Sequence, residues 1–442
     1  MAIKCKRIHK QLLLLIGIFI VLNCMLNVIP QYQILQKNKI LFDVPHLDST
    51  LFNNHSTTIV TRKREPVQIW KLHPSDDRIL AQVKFRPNVD FTSLPPKRIL
   101  LAQGLSGWGV QNGNKAFVEH QCPVQNCHLL EHPPSSEIID ARIFKEIELN
   151  ENMYREALSV VPRHPDQAWI MFGLESPEAS PMYANLNDVI NWTATYRYDS
   201  TIVTPYDKFK AYDNFTNISD YKPNKNFAAS KTKMAAIFMS NCYASNNRLD
   251  IVKELQQFIS VDFYGACGTL TCERGNEKTC FQKLKDEYKF YLSFENANCR
   301  DYITDKLFLN ALRNDVVPVV MGAHPDDYSR MAPPGSYIHV EDFRSVQELA
   351  NYLKFLNQND DEYIKYFRWK QTGSFIDTKF WCRICSLLWD HEKPRMSVPY
   401  LNKWWRGKGV CIGRGRWDKE MENIDSLKSD LLFNTGIEYV NK

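Results

Sequence analysis

Polar side chains at the ends of predicted strands suit a phosphorylated ligand. Glu295 and Asn296 follow the apolar run at residues 288–294, and Asp305 and Lys306 fall in the first turns of a predicted helix. The free N–H groups and the dipole at the start of a helix favour phosphate, and the Lys306 ammonium would add a full positive charge. This pattern indicates an anion-binding site in the segment 295–306.

Two other charged residues occupy comparable positions. Arg248 lies where a predicted strand ends and a predicted helix begins, so its planar guanidinium could bind a second phosphate oxygen. Glu175 ends a predicted strand in the other half of the chain. Ligands of open α/β sheets bind beyond the carboxyl ends of the strands, which favours a functional role for both residues. The alternative for Arg248, as for Lys306, is a solvated surface group, because charged side chains are mostly exposed. Glu175 precedes Ser-Pro and could instead be a helix-entry residue.

The elements that would hold these residues alternate between strand and helix. Predicted strands occupy residues 99–102, 168–174, 234–239, 261–264, 288–294, 316–321 and 337–340. Predicted helices occupy residues 248–258, 302–314 and 346–356. Such alternation is typical of parallel sheets with crossover helices. We therefore predict an α/β fold with two Rossmann-like domains that face a cleft and divide near residues 220–231.

The N-terminus predicts a membrane anchor. Four basic residues precede an apolar run at residues 12–29, and a helix of about 20 residues spans a bilayer core. The positive flank should stay in the cytosol, which sends the C-terminus into the lumen. The alternative is a cleaved signal peptide, although its apolar region would be shorter.

Sequons and cysteines also suggest a luminal protein. N-x-S/T sequons stand at Asn54, Asn191, Asn214 and Asn217. Of the twelve cysteines, ten lie beyond the predicted anchor, and an even number in an oxidising compartment suggests disulfides. The net charge of +5 does not argue for nucleic-acid binding.

The C-terminal cysteines Cys382 and Cys385 have two interpretations. They could bond each other, or they could bond two upstream partners, with Cys122 and Cys127 the obvious pair at similar spacing. A structural role is favoured over a redox role, since no thioredoxin-like context surrounds the C-x-x-C.

The segment at residues 288–322 resembles the signature of the α1,3-fucosyltransferases. The family pattern is YKFYLxFENSxCxDYITEKxxxNAL followed by VPVVxG, and this chain has YKFYLSFENANCRDYITDKLFLNAL followed by VPVVMG. Further resemblances lie in order along the chain: FGLESP at 172–177, NWTATYRYDS at 191–200, SNC at 240–242 with Arg248, DFYG at 262–265 and WCRIC at 381–385. The resemblance covers residues 98–390.

That family implies a two-domain GT-B fold and an enzyme that inverts the anomeric carbon. GDP-β-L-fucose would be the donor, and the 3-hydroxyl of N-acetylglucosamine on an N-glycan would be the acceptor. By matching position, Arg248 and Lys306 would hold the diphosphate, and Glu175 would be the general base. Four further residues would lie around the nucleotide or the fucose: Glu295, Asn296, Tyr302 and Asp305. The protein would be a single-pass type II protein of the Golgi membrane with a luminal catalytic part.

A chain of 442 residues is too long for one core, which suggests two domains with further segments attached. We predict six segments in all. They are a cytoplasmic tail (1–11), a transmembrane signal-anchor (12–29), a stem (30–97), an acceptor-side Rossmann-like domain (98–225), a GDP-fucose-binding domain (226–390) and a C-terminal extension (391–442). The stem is polar and lacks a long periodic pattern, so it should not bury enough apolar surface to offset its ordering entropy.

Two positions depart from the family pattern. Asp305 replaces the usual Glu of T-E-K, which keeps the charge but shortens the side chain by one methylene. Asp207 follows Tyr206 where the family commonly has Gly. No Asp-x-Asp or H-E-x-x-H motif occurs, so the sequence demands no metal, although a divalent ion such as Mn could stimulate the reaction.

The acceptor and the activity each have an alternative. The segments at 264–272 and 367–370 resemble invertebrate enzymes that fucosylate the innermost GlcNAc of N-glycans. Lewis-type members, which act on antennary GlcNAc, share the central signature. A membrane-anchored glycan-binding relative without catalysis is a further alternative, and a Rossmann-type oxidoreductase would need a glycine fingerprint that this chain lacks.

Overall fold

The structure is a computed structural model that describes residues 69–70, 77–133, 138–147, 149–160, 163–272, 277–417 and 438–439. The predicted anchor at residues 12–29 and most of the predicted stem lie outside these ranges. Within them, no helix is both long and apolar enough to cross a membrane. All the described residues belong to one compact unit, Pro66–Lys442.

Five strands of the N-terminal half form the first parallel sheet. They are β1 (Lys97–Leu101), β2 (Cys127–Leu130), β3 (Ala141–Lys145), β4 (Ala168–Gly173) and β5 (Trp192–Thr195), in the order β2-β1-β3-β4-β5. The other elements of this half are helices α1 (Arg78–Lys84), α2 (Lys115–Glu119) and α3 (Glu151–Val160) and the short strand β6 (Phe209–Ala211). Ile99, Ile143 and Ile170 come from adjacent strands and are fully buried in its core, as expected for a parallel sheet that is covered on both faces.

A second parallel sheet contains five strands of the C-terminal half. They are β7 (Lys233–Phe238), β8 (Val261–Tyr264), β9 (Tyr288–Phe294), β10 (Val317–Met321) and β11 (Ile338–His339), in the order β11-β10-β9-β7-β8. Its helices are α4 (Arg248–Leu255), α5 (Glu277–Glu287), α6 (Pro325–Met331), α7 (Val346–Gln358) and α8 (Asp360–Tyr363), with a π-helix at Lys306–Ala311. All seven residues of β9 are buried, so this strand lies at the centre of the domain.

Shorter elements complete the described part. Strand β12 (Gly373–Phe375) pairs antiparallel with β6, and β13 (Met396–Ser397) pairs antiparallel with β14 (Glu438–Tyr439). The last two helices of the described part are α9 (Phe380–Leu388) and α10 (Leu401–Arg406). The 3₁₀ helices are Pro177–Ala179, Ile218–Asp220, Leu312–Asn314, Val340–Asp342 and Ile364–Gln371.

The two sheets confirm the predicted α/β class with parallel strands, and every predicted strand has a counterpart. Three strands of the first sheet, β2, β3 and β5, were missed. Each is only four or five residues long and carries polar residues, such as Arg142 in β3, so its apolar signal is weak.

The helix predicted at residues 302–314 is wrong in its start and in its type. The observed helix is the π-helix Lys306–Ala311. Two features keep the preceding residues out of a helix: Asp301 has a left-handed φ of 59°, and the Thr304 N–H donates to the Glu295 carboxylate at 2.8 Å. The helix therefore starts later than the apolar periodicity predicts, and Lys306 stands at its first position.

Helix α9 packs against the N-terminal sheet although it falls within the predicted donor domain at 226–390. Trp381, Ile384 and Leu387 of this helix share one buried cluster with strands β1 to β5. Two disulfides join it to that sheet, Cys122–Cys382 and Cys127–Cys385. Of the two pairings that the sequence left open, the structure therefore has the one with two upstream cysteines, which agrees with the favoured structural role.

Residues 77–97, which the sequence places in the stem, also pack on the first sheet. Gln82 of α1 is almost fully buried, donates to the Thr201 carbonyl at 2.9 Å and accepts from the Arg383 guanidinium at 3.2 Å. Because Arg383 is fully buried as well, α1 supplies a hydrogen-bond acceptor to a cation inside the core. The packed part of the chain thus begins well before Arg98.

All ten cysteines beyond the predicted anchor are paired. Besides the two bonds to α9, the disulfides are Cys242–Cys267, Cys272–Cys280 and Cys299–Cys411. This result confirms the expectation of disulfides from an even number of cysteines.

Removing both bonds to α9, with Cys382→Ser and Cys385→Ser, should destabilise the protein far more than removing Cys272–Cys280. The first two bonds close loops of 260 and 258 residues, whereas Cys272–Cys280 closes one of 8. In the chain-entropy account, the first long loop alone contributes about 5.5 kcal/mol to the free energy of unfolding, and the 8-residue loop contributes about 2.5 kcal/mol. Denaturant unfolding of the two variants measures this difference, and equal losses would contradict it.

Candidate active site

The carboxyl ends of β4 and β9 face each other, and side chains from the two domains meet there. Glu175 lies just beyond β4, and Asn296 lies just beyond β9. The Tyr302 hydroxyl donates to Glu175 Oε1 at 2.7 Å, and the Asn296 amide donates to the same oxygen at 3.4 Å. Both donors are more than 120 residues away from Glu175 along the chain, so the closed cleft creates this contact.

The Glu175 carboxylate is held through one oxygen. Oε1 also accepts from the Ser176 N–H at 2.8 Å, whereas Oε2 has no hydrogen-bond partner among the described residues. Burial alone would raise the pKa of Glu175. The three hydrogen bonds and the positive charge of Lys306 outweigh that effect and lower the pKa below its ordinary value. The side chain is therefore an ionised carboxylate at neutral pH with one oxygen free to accept a proton.

Lys306 is positioned by a buried carboxylate. Glu295 is fully buried, and its Oε2 accepts from Lys306 Nζ at 2.8 Å and from the Thr304 hydroxyl at 2.9 Å. The aliphatic part of the Glu295 side chain packs directly on Gly322, where an added Cβ would lie 2.6 Å from the Glu295 Cβ. Glu295 is therefore a buried partner that positions the Lys306 ammonium. Gly322 leaves the space that the Glu295 side chain occupies.

Arg248 is buried at the first turn of α4. Its Nη1 donates to the Phe294 carbonyl at 2.6 Å and its Nη2 to the Asn241 carbonyl at 3.3 Å, while its buried Nε has no hydrogen-bond partner among the described residues. Burial lowers the pKa of Arg248, but a guanidinium stays charged at physiological pH. The main chain thus holds a cation at the end of β9, next to the segment that carries Glu295.

Two further predicted residues differ in their surroundings. The Asn296 Oδ1 is buried and lacks a partner among the described residues, which is the state expected of an acceptor that meets a ligand or an ordered water. Asp305 precedes the π-helix and is exposed, and within the described ranges it makes no hydrogen bond or ion pair.

Among the described residues, one group of side chains has the spacing of a metal site. It consists of Glu178, Cys299 and Cys411. The two cysteines form a disulfide, so they have no thiolate to offer a metal. This group is therefore not a metal site.

Two family models match the chain in sequence. "Fucosyltransferase, N-terminal" matches residues 95–207, and "Glycosyltransferase family 10 (fucosyltransferase) C-term" matches residues 228–404. Glycoprotein 3-α-L-fucosyltransferase A of Drosophila melanogaster is 43% identical over 383 residues, which cover 85% of this chain and 74% of that protein. The chain belongs to glycosyltransferase family 10, the fucosyltransferases.

Two further fucosyltransferases show lower sequence identity. The α-(1,3)-fucosyltransferase fut-1 of Caenorhabditis elegans is 28% identical over 83% of this chain and 80% of its own length. A crystal structure of an α1,3-fucosyltransferase with GDP-fucose is 18% identical, with a TM-score of 0.43 over 72% of this chain and 97% of that one.

The candidate site of this fucosyltransferase contains a residue that the sequence analysis missed, Glu146. It follows β3, and its carboxylate contacts the main chain at Glu175. Polar residues at strand ends are candidates for ligand binding, but strand β3 was not predicted. Glu146 was therefore not recognised as a strand-end residue. Asp207, the second departure from the family pattern, forms an ion pair with Arg313 at 2.5 Å, which gives this carboxylate a local structural role.

Proposed function

We propose that this fucosyltransferase moves L-fucose from GDP-β-L-fucose to the 3-hydroxyl of GlcNAc with inversion at the anomeric carbon. The observation that carries the proposal is the meeting of Glu175 with Asn296 and Tyr302 across the cleft, beside Lys306. This arrangement puts a carboxylate of one domain next to the cations of the other, as expected of a GT-B enzyme.

The donor is GDP-fucose, and Arg248 and Lys306 bind its diphosphate. Each cation is held by protein oxygens at one side, so little reorganisation is needed when a phosphate arrives. Negative charge grows on GDP as it leaves, and fixed cations stabilise that charge better than water does. Asn296, Tyr302 and Asp305 surround the nucleotide or the fucose.

Glu175 is the general base. The acceptor O3–H bond breaks as O3 bonds to the anomeric carbon, the proton passes to Glu175 Oε2, and the bond from that carbon to GDP breaks on the opposite side. Inversion follows because a single displacement takes place. Tyr302 and Asn296 hold Oε1 and thereby direct Oε2 towards the acceptor.

The acceptor is the innermost GlcNAc of an N-glycan. The relative with 43% identity is named a glycoprotein 3-α-L-fucosyltransferase, and this similarity exceeds the 28–35% found for the other relatives considered. Transfer to antennary GlcNAc is the second candidate, because Lewis-type members share the signature at 288–322.

The test is a secreted chain that begins at Pro66, purified and supplied with GDP-fucose and a panel of N-glycans. A start at Arg98 would remove Gln82, which the core needs. We expect fucose on core GlcNAc and little on antennary N-acetyllactosamine. Transfer to antennae alone would move the acceptor to the second candidate, and a folded chain that transfers to no acceptor would refute the function.

The compartment proposed for this enzyme is the Golgi lumen, with residues 12–29 as a type II signal-anchor. Its support is the sequons together with five disulfides, which persist in oxidising compartments.

Glycan occupancy should then follow exposure. Asn191 is engaged on both sides of its amide, since Nδ2 donates to the Met396 carbonyl at 2.9 Å and Oδ1 accepts from the Trp169 N–H at 2.8 Å. Asn214 and Asn217 are exposed. For protein from a secretory host, peptide mapping after enzymatic deglycosylation in H₂¹⁸O should label Asn214 or Asn217 and leave Asn191 unlabelled. Label at Asn191 in folded, active protein would contradict this prediction.

A further inference from the structure

We infer that Glu146 is a positioning residue for the general base: its carboxylate holds the Leu174–Glu175 main chain so that the Glu175 side chain faces the acceptor. The inference rests on the proposed function for its catalytic consequence. Its structural part stands on the contacts of the buried carboxylate alone.

Glu146 binds two consecutive N–H groups with one oxygen. Its Oε1 accepts from the Leu174 N–H at 3.1 Å and from the Glu175 N–H at 3.0 Å. Hydrogen bonds to an ionised acceptor are about twice as strong as neutral ones, so the pair fixes this peptide firmly. The same peptide is the one from which the base projects.

The sheet itself brings Glu146 to this place. Lys145 of β3 pairs with Phe172 of β4, and the Glu146 N–H extends this pairing by donating to the Phe172 carbonyl at 2.7 Å. The side chain then crosses the end of β4 at Gly173, where an added Cβ would lie 3.0 Å from the Glu146 Cβ. Glycine at 173 therefore gives the carboxylate its path to the two N–H groups.

The opposite side of the peptide is fixed by a different residue. The Tyr206 hydroxyl donates to the Leu174 carbonyl at 2.6 Å. The segment that carries Glu175 is thus held on two sides. Glu146, which follows β3, binds its N–H groups, and Tyr206, which follows β5, binds its carbonyl. Loss of Glu146 would release one side only, so the expected change is a local displacement of the base.

Burial makes Glu146 dependent on these contacts. The residue is 7% exposed. Burial raises the pKa of Glu146, and the negative charge of Glu175 adds to the rise, whereas the two N–H donors oppose it. A side chain without an acceptor at 146 would leave two partly buried N–H groups unpaired, which disfavours the present position of this peptide.

Glu146→Ala and Glu146→Gln separate positioning from other roles. The Gln carbonyl can still accept from both N–H groups, whereas Ala cannot. We expect Glu146→Ala to lower kcat about 100-fold, because a displacement near 1 Å of a catalytic group costs that much. We expect Glu146→Gln to keep kcat within about five-fold, since neutral hydrogen bonds hold the same geometry less tightly. The KM for GDP-fucose should stay within about two-fold in both, because Glu146 has no hydrogen bond or ion pair with Arg248 or Lys306 in the part of the chain that the structure describes. The matched control is Glu119→Ala, an exposed glutamate in the same domain.

Hydrogen exchange provides a readout that does not require transfer. In Glu146→Ala, the peptide spanning residues 171–177 should lose protection, whereas the donor-domain peptide 288–296 should not change. Unchanged exchange at 171–177 overturns the inference, as does a kcat for Glu146→Ala equal to that of wild type. Equal losses in the Ala and Gln variants would instead assign the effect to charge and refute positioning. A wild-type chain that transfers no fucose would refute the proposed function, and the exchange result would still decide whether Glu146 holds the Glu175 segment.

Discussion

Glu175→Gln is expected to lower fucose transfer by about 10²–10⁴-fold while GDP binding persists. The Gln side chain has the same shape, and its carbonyl can accept the hydrogen bonds from Tyr302 and Asn296 that now reach Glu175 Oε1. Its amide cannot accept a proton from the acceptor hydroxyl. The variant therefore removes only the proton transfer and leaves the cleft intact.

The measurement is kcat for transfer beside the GDP dissociation constant from calorimetry. Glu119→Gln is the control, because Glu119 is exposed on α2 and paired only with a surface lysine. A transfer rate for Glu175→Gln near that of wild type would show that another group is the base. Equal losses in transfer and GDP affinity would mean that Glu175 supports the donor site instead.

Lys306→Ala should show the second large effect, on donor affinity and on stability together. A charge-assisted hydrogen bond contributes about 1.5–3 kcal/mol, so the affinity for GDP should fall about 10- to 100-fold. The substitution also strips Glu295 of its ion pair, and Glu295 is fully buried. An uncompensated buried charge costs about 3–5 kcal/mol, which we reduce to about 2 because the Lys306 side chain keeps 21% exposure.

The double variant Lys306→Ala with Glu295→Gln distinguishes the two effects. Neutralising the carboxylate should restore most of the lost stability without restoring GDP affinity. Thermal unfolding and GDP titration of the single and double variants measure both quantities. Lys365→Ala is the matched control, since Lys365 and Glu362 form an exposed pair that should contribute at most about 1 kcal/mol. Recovered GDP affinity in the double variant would contradict a direct contact between Lys306 and the donor.

The sequence predicted the second sheet better than the first. Strand β9 is buried along its whole length and reads as a nearly continuous apolar run, YKFYLSF, as expected of a strand buried on both faces. In the first sheet, β3 and β5 are short and include Arg142 and Thr193, so their apolar runs are too short to recognise. Because strand β3 was missed, Glu146 at its end was not identified as a candidate site residue.

The boundaries between domains were less predictable still. Helix α9 was not predicted from the sequence, and nothing in its apolar pattern says which sheet it covers. The structure places it on the N-terminal sheet and joins it there through Cys382 and Cys385. The partners of those cysteines lie about 260 residues upstream, which local periodicity does not encode.

The sequence by itself determined the family and singled out Glu175, Arg248 and Lys306 as candidate site residues. Only the tertiary structure decided which polar groups come together, because hydrogen bonds between residues more than 120 positions apart form where the carboxyl ends of β4 and β9 meet across the cleft. That closure leaves one oxygen of Glu175 free. The structure also pairs the buried Glu295 carboxylate with Lys306, and it places the Glu146 carboxylate against the main chain of Glu175.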